Sequence, residues 1–242
     1  MAVDVLAFGA HPDDIEMSCG GTVAKLVKQG YKVALAEITQ GELGTRGTKE
    51  IRAREAEQAA RILGVVTRRN LQIPDGNVEV NQENIKKVIT LIRELQPSIL
   101  IIPHSVERHP DHSHSHHLCK EAWFYAGLTK IKTKLKGAEQ QPFRPRHFFE
   151  FMQWHEFEPS FIVDISDTFE TKMSAIRAHA SQFYNPNSKD PETKLSSPEF
   201  LGRIETQSRY YGMRIGVQYG EPFFTHLQIG VADLFHVLVN KG

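Results

Sequence analysis

The chain has 242 residues, 40% of them hydrophobic, and its 29 Lys and Arg are balanced by 29 Asp and Glu for a formal net charge of +0. That length supports a full hydrophobic core, and the neutral balance lacks the basic footprint of a nucleic-acid or membrane-surface binder. No apolar run approaches the ~20 residues needed to cross a bilayer, so neither nucleic acid nor membrane is expected as a partner.

Residues 3–8 are short and apolar and end at Gly9-Ala10, the pattern of a buried parallel strand. Gly20-Gly21-Thr22 opens a helical pattern through Val23, Leu26 and Val27 that Gly30 stops. Residues 31–38 read as the second strand, and the glycine-rich segment 41–48 leads into a helix over 49–63 that Gly64 ends. Residues 70–73 form a brief third strand before the Pro74-Asp75-Gly76 turn. Ile85, Val88, Ile89 and Ile92 mark a third helix, residues 98–102 a fourth strand closed by Pro103, and Leu118, Ala122, Tyr125 and Ala126 a fourth helix. This alternation predicts an α/β fold with a mostly parallel sheet and helices on both faces. Beyond Thr129 the order changes. Residues 130–146 read as an exposed connection, 146–154 and 160–164 as strands near the sheet edge, 169–183 as a helix, 185–198 as an irregular loop and 200–211 as another helix. The whole reads as one domain, 1–242, with a C-terminal elaboration. Residues 1–4 carry no basic n-region, and Cys19 and Cys119 form no C-x-x-C pair. A cytoplasmic location is therefore the expectation, with neither a disulfide framework nor a thiolate zinc cage.

Ala10-His11-Pro12-Asp13-Asp14 and Arg108-His109-Pro110-Asp111-His112 each follow a predicted strand, and parallel sheets bind ligands beyond the carboxyl ends of their strands. Neighbouring residues leaving a strand point in different directions. Asp14 can therefore share a metal with His11 while Asp13 faces the water as general base. His109 and His112 stand three residues apart, on one face if a helix starts at Pro110; His112 is the candidate third ligand. His109 is left for acid or electrostatic work, its ring held by Asp111. Three ligands and an open position suit a catalytic zinc, while two histidines and a carboxylate also suit Fe2+ or Co2+. Arg46 and Arg52, near the glycine-rich loop, are candidates for an anionic substrate group, as is Arg108 beside the second motif. The G-x-G-x-x-G spacing of a dinucleotide site is absent, and Asp13 and Asp14 would repel a pyrophosphate. A metal- or nucleotide-binding module without turnover stands as the non-enzymatic alternative.

Through His11-Pro12-Asp13-Asp14 and His109-Pro110-Asp111-His112 the chain resembles the PIG-L/LmbE-like zinc deacetylases, which remove acetyl groups from N-acetylglucosamine-containing molecules. Segments 41–48, 162–166, 181–183, 196–200 and 219–223 look most like the bacillithiol-pathway branch, which acts on N-acetyl-α-D-glucosaminyl L-malate; another N-acetylated amino sugar is the alternative. The resemblance implies a Rossmann-like fold, a small-molecule amino-sugar substrate and zinc on His11, Asp14 and His112. It makes Asp13 the general base, His109 and Asp111 a charge-relay pair and Arg52 an active-site arginine. Some relatives bring a tyrosine over the site; Phe200 falls at that position here, leaving Tyr184 or Tyr219 to reach in. Hexamers among close relatives set the expectation of a homo-oligomer.

Overall fold

The computed structural model describes residues 2–237; the first residue and the last five of the 1–242 domain reading lie outside the described residues. The first half alternates as expected: β1 (Val5–Gly9), α1 (Asp14–Lys28), β2 (Val33–Glu37), α2 (Lys49–Leu63), β3 (Thr67–Asn70), α3 (Gln82–Leu95), β4 (Ile99–Pro103) and α4 (Pro110–Ala126). The second half adds a small hairpin, β5 (Lys134–Leu135) with β6 (Ala138–Glu139), inside the segment expected to be a plain connection. It continues with β7 (His147–Phe151), β8 (Phe161–Asp164), α5 (Phe169–Arg177), α6 (Phe200–Arg214), β9 (Gly220–Phe224) and a 3-10 turn at Leu234–Val237.

Seven strands form one sheet in the order β3-β2-β1-β4-β7-β9-β8. β9 alone runs against its neighbours β7 and β8, while the other pairs are parallel. The Rossmann-like, mostly parallel architecture is therefore present. Strand side chains alternate between faces, and the sequence divides accordingly. Leu6, Phe8, Leu100 and Ile102 enter the core under α3 and α4 with Ile85, Val88, Ile89 and Ile92. Val5, Ala7, Leu35 and Ile101 enter the opposite core with Val23, Ala59 and Ala175 of α1, α2 and α5. A third cluster joins α5, α6 and Tyr219 to Ile165.

Local signals explain where α2 starts and stops: the Thr48 hydroxyl accepts the Ile51 N–H at 3.3 Å, and Gly64 ends the helix at φ 74. The other boundaries moved for identifiable reasons. α1 begins at Asp14, six residues before the expected Gly20, and kinks at Cys19 (φ -137). The glycines sit inside it because the C-terminal half approaches closely; a Cβ on Gly21 would lie 2.7 Å from the Ile165 side chain. At the kink the buried Glu221 carboxylate accepts the Gly21 and Thr22 N–H groups at 2.9 and 2.7 Å, and Lys172 Nζ neutralises it at 2.6 Å. β3 lies three residues earlier than expected, since Thr67–Asn70 is the stretch that pairs with β2, and Gln72 (φ 52) has already left the strand. α5 stops at Arg177 rather than running to 183.

Breaking a buried ion pair from one side leaves a desolvated charge and typically costs about 3–5 kcal/mol. Lys172→Met is expected to lose stability of that order in urea unfolding at neutral pH. A change under about 1 kcal/mol would show that the two backbone N–H groups suffice for Glu221.

Candidate metal-centred active site

The first motif is shaped by one backbone residue. Asp13, at the N-terminal boundary of α1, has φ 115 and ψ -25 and makes no side-chain capping bond. Left-handed backbone is costly for a non-glycine residue and gathers at functional sites. The turn separates the adjacent carboxylates. Asp13 lies beside Arg52, Oδ2 to Nη2 3.4 Å, and Arg52 is held in turn by the carbonyls of Gly41 (2.9 Å) and Pro12 (2.8 Å). Asp14 enters the first turn of α1, where its Oδ2 accepts the His11 N–H at 2.8 Å and its Oδ1 accepts Gln153 Nε2 at 2.9 Å.

The second motif opens α4 with His109 as N-cap and Pro110 in the first turn. His109 Nδ1 accepts the Asp111 N–H at 3.2 Å, which leaves Nε2 to carry the proton of the neutral ring. His112 turns inward. Its Nε2 lies 3.3 Å from His11 Nδ1 and 3.4 Å from Asp14 Oδ1, and His11 Nδ1 lies 3.6 Å from Asp14 Oδ2. Ligands at ~2.0–2.1 Å around a tetrahedral zinc are separated by edges of about 3.3 Å. The two nitrogens and the carboxylate thus already stand near the spacing such an ion requires, and His11, Asp14 and His112 can hold one. His11, His109 and Asp111 also come together closely enough to do so.

The far nitrogen of His11 decides which atom it presents. His11 Nε2 lies 3.0 Å from Asp75 Oδ1 and 3.3 Å from Asp111 Oδ2, so the proton belongs there and Nδ1 is free to ligate. Asp75 is fixed by the Leu43 N–H at 2.9 Å and Asp111 by the Gly76 N–H at 2.8 Å. The 41–48 loop and the Pro74-Asp75-Gly76 turn are therefore parts of the site. Burial opposes the charge on Asp14, but His112 and His11 outweigh it and hold the carboxyl well below its usual range. Burial dominates at Asp13 instead and pushes it up to about 6 against the pull of Arg52.

These groups floor a cavity of about 380 Å³, the size of a small-molecule site. Met17, Leu43, Met152, Leu195, Phe200 and Ile204 supply apolar wall. Of the three arginines expected to meet substrate, Arg52 and Arg108 line the cavity. Arg46 is not brought to it: the side chain is buried, with Nε 3.9 Å from Asp190. The Asp111 carboxylate, expected to hold the His109 ring, faces His11 and Gly76 instead; its backbone N–H is what fixes that ring. Neither tyrosine reaches in. Tyr184 is half exposed, and Tyr219 stacks on Phe169 at 3.7 Å and donates to Glu205.

A family model described as PIG-L, GlcNAc-PI de-N-acetylase, matches residues 6–123. The diacetylchitobiose deacetylase of Thermococcus kodakarensis is 32% identical over 97% of this chain and 88% of its own length. The chain belongs to the PIG-L family. It is accordingly an N-deacetylase of that family, a hydrolase of amide bonds. The crystal structure of the conserved protein TT1542 from Thermus thermophilus superposes with a TM-score of 0.84 at 34% identity, covering 95% of this chain and 97% of that one. A probable N-acetyl-alpha-D-glucosaminyl L-malate deacetylase 2 of Bacillus cereus is 27% identical over 74% of this chain and 83% of its own. The family's metal dependence suits the His-His-Asp cluster of this PIG-L chain.

Sequence reasoning missed Asp75 and Gln153. Asp75 had one available signal: it follows the third strand, at the same carboxyl edge as both motifs. Groups that orient a metal-bound histidine typically contribute 10–100-fold to affinity. Asp75→Ala is expected to weaken metal binding by about that factor in a chelator competition; unchanged affinity would show that His11 is oriented without it.

Proposed function

We propose that this chain, acting as one catalytic unit, hydrolyses the acetamido group of an N-acetylglucosaminyl conjugate, with N-acetyl-α-D-glucosaminyl L-malate of bacillithiol biosynthesis as the substrate. The observation that carries the reaction class is the convergence of His11 Nδ1, His112 Nε2 and Asp14 at tetrahedral spacing, with a separate carboxylate, Asp13, beside them. In this reading His11, Asp14 and His112 hold the ion, zinc before iron or cobalt. Bound there, it would supply a Lewis acid that polarises the amide carbonyl and acidifies water.

Asp13 does the proton work. Its Oδ2 is engaged by Arg52, leaving Oδ1 to take the proton as water adds to the acetyl carbon. A carboxyl near 6 suits a base working at neutral pH. The His109 Nε2–H donates to the oxygen that gains negative charge, a role that needs no protonated ring because Nδ1 is already an acceptor. As the C–N bond breaks, Asp13 returns its proton to the departing amine, and acetate is released. Arg52 positions Asp13 and offsets its charge, and Asp111 acts through His11.

The malate assignment is supported by the Bacillus cereus relative and by the cationic Arg108 on the cavity wall. A neutral N-acetylated disaccharide is the second reading, favoured by the higher identity and coverage of the Thermococcus relative. A cytoplasmic homo-oligomer, hexameric as the family resemblance implies, completes the proposal. Among the described residues no helix is long and apolar enough to cross a membrane. Exposed Leu227, Ile229, Val231, Leu234 and Phe235 offer apolar surface for a second copy.

Acetate release from N-acetylglucosaminyl malate and from N,N′-diacetylchitobiose, measured side by side with metal content, tests the reading. Turnover is expected with the malate conjugate preferred; a metal-loaded protein that releases acetate from neither would overturn the function. Asp13→Asn is expected to keep its metal and lose ~10²–10⁴ in kcat. Turnover close to wild type would remove Asp13 as the base.

A further inference from the structure

Beyond the metal-binding floor, the same cavity has a wall with more positive charge than Arg108 alone supplies. Trp154 follows β7, and three cations from three separate elements surround its indole. Arg203 of α6 stands 3.6 Å from a ring centroid, Arg108 of the loop before α4 4.8 Å, and Lys194 of the irregular segment before α6 5.2 Å. Each distance lies within the reach of a cation over an aromatic face. Arg108, Trp154 and Arg203 line the cavity together with His11, Asp14 and His112.

Three like charges around one ring repel one another, and the usual remedy is a carboxylate among them. Among the described residues none lies within ion-pair distance of these three. Glu107 is close by but spent: Oε1 accepts the Trp154 N–H at 2.8 Å and the His155 N–H at 3.2 Å, and Oε2 accepts the Arg108 N–H at 3.0 Å. It fixes the backbone of the wall and does not pair with the guanidinium groups. Burial works against the charge of Arg203, Arg108 adds to the penalty, and Glu156 and Glu107 relieve it only in part. The wall therefore sets three cations against the two nearby carboxylates of Glu107 and Glu156, on an aromatic support, with Arg108 and Arg203 open to the cavity.

We infer that Arg108, Lys194 and Arg203 around Trp154 form a subsite for a carboxylate carried by the aglycone of the amino sugar. Guanidinium forks match a carboxylate bidentately, and Lys194 adds a point charge. Arg108, Trp154 and Arg203 share the cavity with the His-His-Asp cluster, so a sugar held by its acetamido group at that cluster with its anomeric substituent turned to this wall would bring an anionic aglycone to these cations. The inference rests on the N-deacetylase reading for the direction in which the sugar lies. It assigns Lys194, Trp154 and Arg203 to selection among conjugates and gives them no part in the chemical step.

The chain has two tryptophans, so a Trp123→Phe background makes Trp154 the sole indole reporter. In that metal-loaded background, with Asp13→Asn added to prevent turnover, fluorescence titrations with N-acetylglucosaminyl malate and with N,N′-diacetylchitobiose give the affinity ratio. The Arg203→Gln/Lys194→Gln variant is expected to cut the preference for the malate conjugate at least tenfold, and Arg203→Lys, which keeps the charge but loses the fork, to fall between that variant and the parent. Added salt should weaken binding of the malate conjugate more than that of the disaccharide. An unchanged ratio in the double variant, or equal salt dependence for both ligands, overturns the subsite. Acetate release from the matching proteins that retain Asp13 separates the two claims. Loss of the ratio without turnover of either compound sinks the deacetylase reading alone, and turnover with an unaltered ratio sinks the subsite alone.

Discussion

The site depends on a single left-handed turn at Asp13. With φ 115 there, two consecutive carboxylates leave β1 in different directions: Asp14 joins His11 and His112, and Asp13 turns to Arg52. Such a conformation costs on the order of 1–3 kcal/mol for a non-glycine residue. Arg52 braces the turn, its Nη2 donating to the Pro12 carbonyl, one residue before the strain, and its Nη1 to that of Gly41. Close packing tightens the turn further, since a Cβ on Gly9 would stand 3.0 Å from Asp14 Cβ.

The parallel sheet does the rest of the assembly. The carboxyl ends of β1, β3, β4 and β7 lie on one side, so they deliver His11, Asp75, the His109–His112 pair and Gln153 to one point. The C-terminal elaboration is tied to that point from behind. Glu221 of β9 accepts two N–H groups inside α1, the helix whose first residue is Asp14, and Lys172 of α5 balances the charge. The segment that completes the cavity, from Leu195 to Arg203, rests on the same third cluster of apolar side chains.

Much of this was legible in the sequence because its causes are local. The apolar runs of β1, β2 and β4 and the Thr48 and Gly64 caps of α2 act within a few residues, and the two histidine-aspartate motifs lie in the loops that leave β1 and β4. The misplaced parts have tertiary causes. The glycines of α1 read as a start signal, yet they are in its interior, where Ile165 presses against Gly21. β9 runs antiparallel, which residues 216–223 do not announce. Arg46 lies near the glycine-rich loop in sequence but packs away from the cavity, whereas Arg203, distant from both motifs in sequence, reaches it. Asp75 reads as an ordinary turn residue until the fold places it on His11.

Anomalous diffraction at the zinc edge, from crystals grown with one equivalent of zinc, tests the central claim most directly. The account predicts one peak within ~2.0–2.2 Å of His11 Nδ1, His112 Nε2 and an Asp14 oxygen, with Asp13 still beside Arg52 and outside the ligand shell. A peak between His109 and Asp111, or Asp13 bound to the ion, would contradict it.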